Sequence, residues 1–252
     1  MRLGFAALVL AIAPGTPSQP LVEHMSFMTM FDFEPALQRG WVTHGIGDYY
    51  LTSSQPHGAL NASLMAWEKY GIPSLHGDLP SASPGVVGGV FVRGTGLALG
   101  WETAIEKIAR EEILPYLGPD KALRGIFLGD ELCCGATAAE CWRDGYGPLT
   151  AKLRALLGPK AIIYANECAD IANPHLNVTE VPPGFDLISI DHYAGYMPGA
   201  NGTDEVVAAK ANYEVLFSKM HPHQRAVLLP GTFACSNVTW FPLEEQQKLQ
   251  VQ

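Results

Sequence analysis

Charge is what this sequence is most short of. Asp, Glu, Lys and Arg make up 16% of its 252 residues, and 16 basic side chains face 25 acidic ones, for a formal net charge of −9. A nucleic-acid surface needs clustered cations to displace the counterions of the phosphates, so no nucleic-acid partner is expected. Long apolar runs are lacking too. The run from Leu3 to Ala13 covers about eleven residues against the roughly twenty that cross a bilayer, so no membrane span is expected. The phosphate cradles GxGxxG and GxxxxGK[ST], the zinc motif HExxH and the nucleophile elbow GxSxG are all absent. No two cysteines have the CxxC spacing of a structural zinc site.

What is present begins with an address. Arg2, the apolar run Leu3 to Ala13 and the breakers Pro14, Gly15, Thr16, Pro17 and Ser18 have the layout of a secretory signal peptide over residues 1–18. The rest, residues 19–252, is expected to be one domain. Four of the seven asparagines begin Asn-x-Ser/Thr sequons, at Asn61, Asn177, Asn201 and Asn237, which predicts N-linked glycans and an extracellular destination. In that oxidising compartment the five cysteines predict disulfides. Cys133 or Cys134 with Cys141 would close a short loop, Cys168 or Cys235 would take the other, and one thiol would be left over.

The body of the chain alternates short apolar runs with helical patterns. Residues 125–129, 161–165, 187–190 and 226–229 are apolar without alternation, as parallel strands covered on both faces are. Residues 26–33, 48–52 and 72–76 are further strand candidates. Helices are predicted over 59–70, 103–116, 149–157 after Pro148, and 206–220, with the start of another near 244–250. Residues 78–100, rich in Gly, Pro and Ser, are expected to form a long loop over the strand ends. Alternating strands and helices imply right-handed crossovers and a parallel sheet. The expected fold is therefore α/β, a (β/α)8 barrel, either complete or lacking its last unit at the C-terminus, with six or seven strand candidates against eight; an open doubly wound sheet is the alternative.

Parallel α/β folds carry their sites at the C-terminal ends of the strands. Those ends here read Asp130-Glu131, Asn166-Glu167, Asp191-His192-Tyr193 and Gly231-Thr232-Phe233. Three successive ends bear carboxylates, more than a core requires. An Asn-Glu pair closing a barrel strand, as at Asn166-Glu167, resembles the acid/base motif of clan-A glycoside hydrolases, and Gly129-Asp130-Glu131 and Asp191-His192-Tyr193 are similar to secreted barrel glycosidases more generally. The pattern departs from clan A after residues 226–229, where Pro230-Gly231-Thr232 stands in place of a glutamate.

The resemblance implies hydrolysis of glycosidic bonds in an extracellular or cell-wall glycan, with a carbohydrate partner and no cofactor. Such chemistry needs two carboxyl groups flanking one bond. Glu131 and Glu167, on consecutive strands, are the expected catalytic pair, with Asp191 as a third candidate; Asp130, Asn166, Asp191, His192, Tyr193 and Trp142 are expected to bind substrate. Tyr196 and Trp240 could also stack on sugar rings. Each group has a plainer alternative: Asp130 or Glu131 as a helix cap or ion-pair partner, Asn166 as a turn residue, His192 as a satisfied hydrogen-bonding histidine, the aromatics as loop packing. Two other functions are open at this point. One is a non-catalytic carbohydrate-binding or structural barrel. The other is a divalent-metal-dependent hydrolase using Asp130, Glu131, Glu167, Asp191 and His192, although no metal is assigned.

Overall fold

A computed structural model describes residues 7–11, 23–29, 44–46, 58–77, 79, 89–191 and 202–227. Eight strands make one sheet in the order β1 (Ala7–Ala11), β2 (Glu23–Thr29), β3 (His44–Ile46), β4 (Ser74–His76), β7 (Leu123–Asp130), β8 (Ile162–Cys168), β9 (Leu187–Asp191) and β10 (Arg225–Val227). β1, which lies within the expected signal peptide, runs antiparallel to β2; every later pairing in this sheet is parallel. Phe91–Val92 (β5) and Gly96–Leu97 (β6) form a separate antiparallel hairpin. Crossover helices are α1 (Gly58–Tyr70), α2 (Trp101–Ile108), α3 (Gly147–Leu157) and α4 (Gly202–Lys219).

The sheet is curled and has two apolar faces. Ile126, Leu128, Ile163, Ala165, Ile188 and Ile190 pack outward against helix residues such as Ile105, Ile108, Leu149 and Leu153. Ile46, Leu75, Phe127, Tyr164, Leu187 and Val227, one from each of β3, β4, β7, β8, β9 and β10, form a layer on the inner face. Burial on both faces explains the unbroken apolarity of the strands. Stacked inward layers are what a barrel interior contains, but among the described residues no ladder joins β10 back to the other edge.

Six of the expected strands and all four of the main expected helices are found close to their predicted places. β3 lies just before the expected strand 48–52, which falls outside the described residues, as do the C-terminal residues 244–250. The expected loop 78–100 differs: its second half folds into the β5–β6 hairpin, whose turn uses Gly94 at φ 74, a conformation that costs glycine little. The helix after β6 changes pitch through a π-helical stretch, Ala109–Ile113, and a 3-10 turn, Leu114–Tyr116, where Pro115 lacks the donor to continue it. Gly125 is required by close approach, since a Cβ there would lie 1.9 Å from the Ile162 carbonyl oxygen of β8.

Two disulfides, Cys133–Cys141 and Cys134–Cys168, choose among the pairings left open by spacing. Cys235 lies outside the described residues. No helix among the described residues is long and apolar enough to cross a membrane. Of the sequons, Asn61 is exposed on α1 and Asn177 is exposed at φ 51, while Asn201 and Asn237 fall outside the described residues.

Candidate functional site

The C-terminal ends of β7, β8 and β9 meet in a polar cluster on the inner face. Strict alternation would put Asp130 on the side of Leu128, among the helices. An irregularity prevents this. Phe127 pairs with Tyr164 and Asp130 with Asn166, so β7 takes three steps where β8 takes two. The extra residue, accommodated at Gly129 with φ 146, turns Asp130 onto the Tyr164–Asn166 face. Bulges re-aim side chains in this way.

Asn166 is the hub. Its Nδ2 donates to Asp130 Oδ1 at 2.6 Å and to Asp191 Oδ1 at 2.7 Å. Its Oδ1 accepts from Ser189 Oγ at 2.5 Å, and Ser189 Oγ lies 2.8 Å from the Tyr164 hydroxyl. The amide orientation follows from chemistry: two carboxylates need donors, and the hydroxyl chain supplies one. Because one nitrogen holds both acids, their bonded oxygens fall within the roughly 5.5 Å that a retaining carboxylate pair spans. Asn166 is buried, Asp130 and Asp191 are half-buried, and burial raises the Tyr164 phenol.

Glu131 sits at the rim. Its carboxylate is 39% exposed and 3.8 Å from the Arg93 guanidinium, which also donates to the Asp130 carbonyl at 2.7 Å. Glu131 adopts φ 52, rare for a side-chain-bearing residue, while its N–H donates to the Asn166 carbonyl at 2.8 Å.

Glu167, next to Asn166 in an extended strand, faces the opposite way. It is fully buried on the helix side. Its Oε1 accepts from the backbone N–H of Leu132 and of Cys133, both at 3.0 Å, and from the Tyr146 hydroxyl. Burial pushes this carboxyl up to about 8, against which the Tyr146 and backbone hydrogen bonds act. Burial, then the Glu167 charge, raises the Tyr146 phenol as well. Glu131 and Glu167 thus occupy different environments, and the structure does not bring them together as facing acids.

Trp142 is corrected more simply. It is 2% exposed and packs edge-on against Tyr146, with Phe185 beside it, so it has no face to offer a sugar. His192, Tyr193, Tyr196 and Trp240 lie outside the described residues. For the metal alternative, the group of three candidate ligands close together among the described residues is Cys134, Glu167 and Cys168. Both sulfurs are spent in the Cys134–Cys168 disulfide and are not thiolate ligands.

Sequence reasoning missed Ser189, Tyr164 and Arg93. A polar Ser inside Leu187-Ile-Ser-Ile190 was a usable signal, and Tyr164 shares the parity of Asn166; Arg93 sat in an expected loop and gave none. It also passed over His221-x-His223, whose rings lie 6.0 Å apart just before β10, at the opposite end of the strands. His223 Nε2 is 3.0 Å from the Pro183 carbonyl and His221 Nε2 is 3.6 Å from Glu180.

The fold and site define an α/β chain with a curled parallel sheet and a carboxylate cluster at the strand ends. No family model and no curated protein matches it. Among solved structures it is similar to a β-glucuronidase of an uncultured Clostridium, with TM-score 0.47, 12% identity, and coverage of 83% of this chain and 34% of that one. It is also similar to a β-glucuronidase from Ruminococcus gnavus in complex with uronic deoxynojirimycin, with TM-score 0.48, 11% identity, and coverage of 88% and 37%. The chain spans about a third of the length of these proteins.

Proposed function

We propose that this chain is a secreted, glycoside-hydrolase-like protein that cleaves glycosidic bonds in an extracellular or cell-wall glycan, with Asp130 and Asp191 as its paired carboxylates. The observation that carries this reading is the single Asn166 nitrogen bonded to both acids at 2.6 and 2.7 Å. Two carboxyls at that spacing can divide the work of acid and base or nucleophile. Glu131 and Arg93 at the rim would contact substrate hydroxyls. The earlier pairing of Glu131 with Glu167 gives way here because Glu167 is sealed on the helix side. The two disulfides support an oxidising compartment.

A second reading, a non-catalytic carbohydrate-binding barrel, is favoured by the closure of the Tyr164–Ser189–Asn166 chain, which a purely structural polar cluster also needs. Turnover on a panel of chromogenic glycosides and glycans separates the two. The enzyme reading expects release of sugar by the parent and its loss in Asp130→Asn and Asp191→Asn. Undiminished turnover in both variants rejects the pair, and retention of glycan without any turnover by the parent favours binding.

A further inference from the structure

The two disulfides are not equivalent. Cys133 and Cys141 are 0% and 1% exposed, inside the core. Cys134 and Cys168 are half-buried and tie the segment after β7 to the last residue of β8. Adjacent cysteines thus enter separate bridges, one sealed in the core and one half-buried. Accessibility of a sulfur to an attacking thiolate governs exchange.

The half-buried bridge has an acid beside it. Glu167 Oε2 lies 3.7 Å from Cys134 Sγ. A disulfide sulfur has no proton to give, so a hydrogen bond across this contact requires that Glu167 donate. The other oxygen, Oε1, is already occupied by the Leu132 and Cys133 amides and the Tyr146 hydroxyl. The carboxyl proton therefore belongs on Oε2, facing the sulfur, although the Cys133 amide also approaches Oε2 at 3.2 Å. Burial favours the protonated form at neutral pH.

We propose that Cys134–Cys168 is an exchangeable disulfide that takes dithiol reductants, with Glu167 as the proton donor to its leaving sulfur. The thiolate of a dithiol attacks Cys168 Sγ; the S–S bond breaks, its electron pair goes to Cys134 Sγ, and Glu167 Oε2 protonates that sulfur. The second thiol of the reductant, as its thiolate, then attacks the mixed disulfide, releasing Cys168 as a thiolate that takes a proton from water. The reductant leaves as its cyclic disulfide, two electrons having passed to the protein. The Glu167 carboxylate left behind regains its proton from solvent. Opening this bridge removes the covalent tie of Cys134 to β8 and leaves residues 131–133 held there by hydrogen bonds, Glu131 N–H on the Asn166 carbonyl and the Leu132 and Cys133 N–H groups on Glu167. The proposal is independent of the glycosidase reading, because neither its chemistry nor its readout requires turnover.

The test is limited reduction of the whole protein with dithiothreitol, alkylation, and peptide mass analysis, followed by deuterium uptake of the partly reduced product. Cys134 and Cys168 are expected to be alkylated at least tenfold faster than Cys133 and Cys141, with faster amide exchange over 131–134. Equal or reversed order, or unchanged exchange after the bridge opens, overturns the proposal. In Glu167→Gln, which keeps the shape but not the acidic proton, opening is expected to slow about tenfold; an unchanged or faster rate overturns the donor role. Should that variant not fold, the order of labelling in the parent decides the exchangeable bridge, and a Cys134→Ser, Cys168→Ser double variant with parental exchange over 131–134 overturns the role of the tie.

Discussion

Asn166 and Glu167 are neighbours in one strand yet work on opposite faces of the sheet. Asn166 joins Asp130 and Asp191 on the inner side, while Glu167 is locked under Leu132, Cys133 and Tyr146 on the helix side. Period-two alternation separates them, and the separation divides the motif into a site residue and a buried anchor for the loop that follows β7.

The anchor makes stability depend on pH. Glu167 is raised from its ordinary 4.5 to about 8 chiefly by burial, with Tyr146 and Asp130 as its titratable neighbours and Arg93 acting on Tyr146. The folded state therefore holds this proton more tightly than the unfolded chain. Its contribution is complete below about pH 4.5 and is lost as pH rises through about 8. Thermal unfolding across this window should show the parent losing stability with rising pH and Glu167→Gln following a flatter curve. A parental decline retained in full by the variant contradicts the assignment.

The hub can be tested by removing its donors. Asn166→Ala leaves Asp130 and Asp191 close together without the amide between them, which should cost about 1–3 kcal/mol at neutral pH. Urea unfolding of parent and variant measures the loss directly. A difference below about 0.5 kcal/mol would mean that the amide does not hold the two acids.

Packing of β7 on β8 rests on Gly125. Gly125→Ala places a methyl group 1.9 Å from the Ile162 carbonyl oxygen, and the strands must part to admit it. Destabilisation of at least about 1–3 kcal/mol is expected in denaturant titration. A change below about 0.5 kcal/mol would show that the strands separate freely.

Much of the architecture could be read from the chain because burial on both sheet faces leaves a plain mark. The runs at 125–129, 161–165 and 187–190 became β7, β8 and β9, and Pro148 and Gly158 bracket α3. Asp130, Asn166 and Asp191 were legible as strand-end polar residues and do meet. Their sidedness was not. It depends on the irregularity at Gly129, which shifts parity by one residue and has no signature beyond the glycine itself. Trp142 was misplaced for a related reason: a loop position predicts exposure, whereas a helical segment carries it into the core against Tyr146. Arg93 reaches Glu131 only because the β5–β6 hairpin folds back, a contact between segments distant in sequence.

The central claim, that Asp130 and Asp191 act as a carboxylate pair, is tested most directly by steady-state kinetics of Asp191→Asn on a glycoside that the parent hydrolyses. The account predicts a fall in kcat of about 10²–10⁴-fold, the share a positioned acid or base supplies, with KM changed far less. A kcat within a few-fold of the parent, in a variant that unfolds at the parental temperature, would contradict it.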